Sequence, residues 1–118
     1  MKIKDLEIEF DFLDADDVER LEKGYQKVIE ETERHKEEEL SMSEEIRIEC
    51  QIIDEFLNYV FGEGTAEKLF NGKKSLKAHT EVFQDILNEK LIYSRDIEAV
   101  YARYQPTREQ RRKGRNNV

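Results

Sequence analysis

The sequence predicts a mainly α-helical domain: three principal helices and one short helix, preceded by a small N-terminal β-strand or hairpin. Apolar residues recur at three-and-four spacing along three long stretches, the mark of helices with one buried face. The first dozen residues instead alternate apolar and charged with a period of two. The chain has 118 residues, 41% of them charged and 37% apolar, against about 25% charged in an average soluble domain. So polar a chain folds only if its few apolar side chains are well placed. Its length suits one domain, expected over residues 1–106 with the β element at about 1–12 and a basic, flexible tail at 107–118.

The β element rests on Leu6, Ile8, Phe10 and Phe12, which alternate with Glu7, Glu9 and Asp11. Lys4-Asp5 can turn a short hairpin between Met1–Ile3 and Leu6–Phe12. Such a hairpin is marginal alone and must lay its apolar face on the helices.

Asp14-Ala15-Asp16-Asp17 opens the first helix, with Asp14 or Asp16 as N-cap and the other acids at the positive end of the dipole. Val18, Leu21, Tyr25, Val28 and Ile29 follow at helical spacing, and the pattern fades into Glu31, Glu33 and Glu37 to Glu39. Gly24 lowers helix propensity by about 1 kcal/mol relative to Ala and marks a close approach. Ser41-Met42-Ser43-Glu44 then fits a capping box. The second helix carries the strongest core stripe, Ile46, Cys50, Ile53, Leu57 and Val60, widened by Ile52, Phe56 and Phe61. Gly62 suits its end, and a short helix from Ala66 to Phe70 stops at Asn71-Gly72. The last helix runs from about Ser75 to Tyr104. Its seam reads Leu76, His79, Phe83, Ile86, Lys90, Tyr93, Ile97, Val100 and Tyr104, and Pro106 stops it.

Charge is uneven. The net charge is −8, yet residues 107–118 hold five basic residues against Glu109, a net of +4 that leaves the body at −12. An acidic body repels nucleic acid and keeps copies apart, while the basic end suits an anionic partner. No stretch approaches the roughly 18 apolar residues of a membrane span. Met1-Lys2-Ile3-Lys4-Asp5 has no signal-peptide core, so the cytoplasm is the expected compartment. The single cysteine excludes an intramolecular disulfide.

The motifs that invite chemistry have structural readings that fit better. Asp14-Ala15-Asp16-Asp17 lacks the sixth-position glycine and twelfth-position glutamate of an EF-hand, because Glu19 and Tyr25 stand there. Gly62-Glu63-Gly64-Thr65 follows a helix instead of a strand, so a helix connection accounts for it better than a phosphate loop. His35 lies near Glu31, Glu38 and Glu39, but zinc needs three or four good ligands. Cys50 sits on an apolar stripe and His79 on an apolar seam, and a Cys50–His79 nucleophile pair is left open. No catalytic residue, cofactor or metal is expected. The arginine-rich tail has no aromatics between its charges for base stacking.

Taken in order, the landmark residues are Phe10-Asp11-Phe12-Leu13-Asp14-Ala15-Asp16-Asp17, Ser43-Glu44-Glu45-Ile46 and Asp54-Glu55-Phe56-Leu57. Val60-Phe61-Gly62-Glu63-Gly64-Thr65-Ala66, Lys68-Leu69-Phe70 and Gln105-Pro106-Thr107-Arg108-Glu109-Gln110-Arg111-Arg112 complete them. Together they resemble a family of small proteins encoded in the tail gene region of phages and prophages of Gram-positive bacteria, similar in turn to siphophage and myophage tail assembly chaperones. The resemblance covers nearly the whole chain, and Phe-Gly-Glu-Gly-Thr-Ala is its most specific part. Such chaperones often finish in an Asn-Arg-Ala-Gln-Arg-Arg-like motif. Thr107 to Arg112 align with it, Thr107 and Glu109 replacing Asn and Ala.

The resemblance implies a non-enzymatic protein that holds the tape-measure protein, the major tail tube protein, or both, during tail assembly. It further implies residence in the bacterial host cytoplasm and absence from the mature virion. The residues expected to bind the partner are Tyr93, Val100, Tyr101 and Tyr104 on the last helix and Arg108, Arg111 and Arg112 in the tail. Core packing is the competing role for Tyr93 and Val100. Self-association through the long helices is open; a membrane partner is not expected, and nucleic acid is disfavoured. Two other functions fit the chain: a regulatory module acting on nucleic acid or on a nucleic-acid-binding protein, and a structural tail subunit.

Overall fold

The computed structural model describes residues 1–104, except the side chains of Asp96, Val100, Tyr101, Arg103 and Tyr104. Strands β1 (Lys2–Ile3) and β2 (Leu6–Glu7) pair antiparallel, Lys2 opposite Glu7 and Ile3 opposite Leu6. Lys4 and Asp5 form the expected turn, with Lys4 in the left-handed region at φ 52°.

The second strand is shorter than its alternation predicts, ending at Glu7 instead of Phe12. Met1 closes the ladder: its carbonyl accepts from the Ile8 N–H at 2.7 Å, and its amino group donates to the Ile8 carbonyl at 2.9 Å. Among the described residues no strand stands opposite residues 9–12. Their period-two burial survives, with Ile8, Phe10 and Phe12 inside and Glu9 and Asp11 outside. Alternation reported one face laid on a core, which requires an extended backbone and not a ladder.

Helix α1 spans Ala15–Arg34. Asp14 is its N-cap, accepting from the Asp17 N–H at 3.0 Å. Asp17 in turn accepts from the Asp11 N–H at 2.9 Å and from Arg20 at 2.8 Å. The Asp11 N–H lowers the Asp17 carboxyl below its ordinary range; burial partly opposes this, and Arg20 reinforces it. Arg20 also donates through Nε to the Val60 carbonyl at 2.7 Å, tying the start of α1 to the end of helix α2 (Met42–Phe61).

Both groups of the capping box are in place on α2: Ser41 Oγ accepts from the Glu44 N–H, and Glu44 accepts from the Ser41 N–H. Gly62 ends α2 at φ 113°, a conformation that side-chain-bearing residues rarely adopt. The short helix α3 (Thr65–Phe70) follows, and α4 runs over Leu76–Tyr104.

Helix α2 is the hub, packed against α1, α3 and α4, while β1 leans on α4. Leu21, Cys50, Leu57, Val60, Val82 and Ile86 are shielded from solvent to within a per cent. Gly24 marks where α1 and α2 cross: a Cβ there would lie 2.5 Å from Val60 Cγ2 and 3.1 Å from the Phe56 ring. Two expectations need correction. Ile29, placed on the buried face of the first helix, is 57% exposed, and Leu76, placed on the seam of the last, is also exposed. On α1 the inward place is taken by Val28, one position earlier, which packs on the core, and Leu76 is the first residue of α4. Val82, absent from the predicted seam, is fully buried beside Phe83.

Lys90 interrupts the α4 seam without breaking the packing. Its ammonium lies 5.0 Å from the Tyr25 ring centroid, so the stem covers apolar surface while the charge meets a π face. Tyr25 stacks on Phe56 and meets Phe83 edge-on. Its hydroxyl is buried and has no hydrogen-bond partner among the described residues, so Tyr25→Phe should stabilise the fold by about 1 kcal/mol, measurable by urea denaturation. Burial pushes the Tyr25 phenol up to about 12 from 10. Below pH 10 the phenol is protonated whether folded or unfolded. Between pH 10 and 12 only the unfolded chain loses the proton, so wild-type stability falls as pH rises, by about 1.4 kcal/mol per unit at most. Tyr25→Phe should lack that component of the alkaline slope.

Candidate partner-binding surface

The face of α4 that looks inward is spent on the core. Val82 and Ile86 are fully buried, and Tyr93 is half-buried, stacked on Phe12 with ring centroids 5.0 Å apart and planes 8° from parallel. Tyr93 therefore does core work by pinning the segment before α1 to the last helix, and only the remainder of its surface faces outward. Val100, Tyr101 and Tyr104 have side chains outside the described residues, as do Arg108, Arg111 and Arg112 altogether.

Leu91 and Ile92 are different. They stand five and six positions beyond Ile86, which at 100° per residue carries both to the opposite side of the helix. They are 59% and 51% exposed. Adjacent large aliphatics on a solvent face are positioned to meet the apolar stripe of another helix. The sequence reading missed this pair because it weighed only the residues of the seam.

A second surface lies between α1 and α2, a groove of about 350 Å³ lined by Gly24, Lys27, Val28, Ile52, Phe56 and Tyr59. Lys27 Nζ sits 3.7 Å from the Tyr59 ring centroid across it. Glu30, Glu31 and Glu55 edge it, giving it acidic margins.

The chemistry-bearing residues are occupied structurally. His79 is completely buried, with Nε2 2.8 Å from Asp54 Oδ1 and Nδ1 2.7 Å from the Ser75 carbonyl. Lys74 donates to the other oxygen of Asp54, and the Phe70 ring stacks on the imidazole at 3.6 Å. With both ring nitrogens engaged, His79 has none to offer Cys50. Burial first, and then the negative charge of Asp54, push the Cys50 thiol up, opposite to what an activated nucleophile needs.

His35 pairs with Glu38 at 2.9 Å, and among the described residues no group of three His, Cys, Asp or Glu side chains is arranged to hold a metal ion. In the Gly62–Thr65 turn, the Thr65 and Lys68 N–H groups donate to the carbonyls of Gly62 and Gly64, and the Ala66 N–H to Asn58 Oδ1. Those donors serve the turn itself.

Residues 4–115 match a family described as one of unknown function, DUF6673. The chain belongs to the DUF6673 family. The match takes in every helix described above, together with most of the basic segment. No curated protein and no solved structure is significantly similar to the chain. No helix among the described residues is long and apolar enough to cross a membrane.

Proposed function

We propose that this DUF6673 protein is a non-enzymatic holding protein of the phage tail assembly chaperone type, which grips the tape-measure protein, the tail tube protein, or both while the tail is built. The observation that carries the reading is the outward pair Leu91 and Ile92 on a helix whose other face is committed to the core. An amphipathic partner helix can lay its apolar stripe across such a pair and leave again, because the area is small. The +4 segment at 107–118 adds steering toward an acidic partner, and the −12 body keeps the loaded complex soluble. In this reading the protein works in the bacterial cytoplasm and is absent from finished particles.

The test is co-expression of the full chain with the neighbouring tail genes, followed by capture and mass spectrometry. The tape-measure or tube protein should be recovered, and the Leu91→Asp, Ile92→Asp double variant should recover at least tenfold less while keeping its far-UV circular dichroism. Removing residues 107–118 should weaken capture most at low salt. Recovery of nucleic acid or a repressor-like protein alone would favour the regulatory reading. Presence in purified tails would favour a structural subunit.

A further inference from the structure

We infer that residues 111–115 of this chain dock along the segment after β2 as a third, antiparallel strand, with Arg111, Lys113 and Arg115 opposite Asp11, Glu9 and Glu7. The hairpin sets the place for such a strand. The Ile8 N–H donates to the Met1 carbonyl, so the amide groups of Ile8 point toward β1. Amide direction alternates along extended backbone, and the groups of Glu7 and Glu9 therefore point the other way. Among the described residues no strand takes them up. The opposite edge of the hairpin is covered, because β1 leans on α4. Along the open side runs a shallow groove of about 650 Å³, lined by Glu7, Ile8, Glu9, Phe10, Asp17 and Arg20 among others. An uncovered edge of this kind is a template for pairing with further chain.

Charge selects the occupant. Glu7, Glu9 and Asp11 stand exposed at every second position. A second copy pairing its own edge here would set acid against acid, which cross-strand neighbours resist. In residues 107–118 the bases Arg111, Lys113 and Arg115 also recur at every second position. One antiparallel register sets all three against the three acids; a shift of one residue either way keeps a single pair, and a shift of two keeps two. Gly114 then falls opposite Ile8 and asks for no room, and Arg112 falls on the groove side beside the Asp17–Arg20 pair. The cations already at the edge have places of their own. Arg20 holds Asp17 and the Val60 carbonyl, the Met1 amino group lies 3.4 Å from Glu7, and Lys2 stands across the hairpin from Glu7. The Asp11 N–H is taken by Asp17, so the new ladder stops at Glu9 and Arg111 contributes charge alone. Glu9 and Lys113 are the central pair.

Direction and chain length agree with this register. Met1, Lys2 and Ile3 share a surface pocket with Asp85, Ile86 and Glu89, and Phe12 stacks on Tyr93. The chain from Ile8 to Phe12 thus runs alongside α4 in the same direction, and a segment returning from Tyr104 runs against it, as an antiparallel strand must. Tyr104 stands eleven residues past Tyr93, about 16 Å along the helix axis. The seven steps from Tyr104 to Arg111 span about 23 Å when extended, enough to return to the level of Phe12.

The deciding experiment is amide hydrogen exchange of the full chain at low salt, read residue by residue by NMR. Ile8, whose N–H is bonded within the hairpin, and Leu57, buried on α2, are the internal references. The Glu7 and Glu9 amides should be protected in the wild type, and added salt should lessen that protection. Lys113→Glu should speed exchange at Glu7 about tenfold while Ile8 and Leu57 keep their rates. Glu9→Lys alone should do the same, and Glu9→Lys combined with Lys113→Glu should restore the protection, because the pair is then reversed and not removed. Wild-type exchange of Glu7 and Glu9 at the rate of an open chain overturns the inference, as does protection that Lys113→Glu leaves untouched. Protection that fades on dilution would place the strand in a second copy and overturn the same-chain pairing.

Discussion

Gly24→Leu is expected to unfold the domain. The crossing of α1 and α2 leaves no room for even the first carbon of a side chain, because that carbon would stand 2.5 Å from Val60 Cγ2 and 3.1 Å from two atoms of the Phe56 ring. Val60 and Phe56 are buried and hemmed in by other core residues, so they cannot swing aside cheaply. Overpacking at such a point costs about 1–3 kcal/mol for a small group and more for a branched one. A leucine should therefore cost more than about 3 kcal/mol, a large share of the 5–15 kcal/mol that holds a typical domain together. Alanine should also destabilise, although its better helix propensity returns about 1 kcal/mol. The diagnostic is a double-mutant cycle read by urea denaturation. If the clash with Val60 is the cause, Gly24→Ala with Val60→Ala will lose less than the two single losses added. Strict additivity would place the cost elsewhere.

The second large loss is expected from Phe56→Ala. Phe56 is 2% exposed and meets three other aromatic rings: Tyr25 at 5.2 Å, Phe83 at 5.1 Å and Phe61 at 6.4 Å. These rings come from α1, α4 and the end of α2, so one side chain joins all three long helices. Removing it deletes the transfer term and leaves a cavity walled by rings too large to collapse, a loss of about 3–5 kcal/mol. Phe61→Ala is the natural comparison, since Phe61 is half-buried at the rim and should cost less. A thermal melt of the two variants side by side would settle the order. Equal losses would mean that the rim is as tightly packed as the centre.

Much of this fold was legible because local signals agreed with tertiary need. The capping box at Ser41 and Glu44, the glycine that ends α2 and the stripe through Cys50, Ile53, Leu57 and Val60 are short-range features with direct physical causes. Gly24 could be read as a close approach, because a glycine in mid-helix needs some compensating reason. The hairpin length was not legible: Ile8, Phe10 and Phe12 keep the burial rhythm of a strand without a partner strand among the described residues. Nor was the setting of His79. Its spacing placed it on a buried seam, but Asp54 lies 25 positions away and no pattern within one helix announces the pair. Leu91 and Ile92 were visible as apolar residues, yet their outward direction follows only once Val82 and Ile86 fix which face of α4 turns inward. The arginines at 108, 111 and 112 stand beyond the described residues, so their part in binding is a matter for the capture experiment.

The contact between β1 and α4 sets an order of events during synthesis. The first strand leans on the last helix, and Phe12 completes its stack only when Tyr93 has been made. A ribosome adding about 5–20 residues per second releases α1 and α2 well before α4. Through that interval β1 and Phe12 lack their final neighbours on α4, and the helices already made must shelter them or leave them wet. Native closure is thus a late, long-range step, with the loop entropy of the chain between Phe12 and Tyr93 set against it. A protein truncated before α4 should accordingly expose its N-terminal aromatics and bind a hydrophobic dye that the full chain ignores.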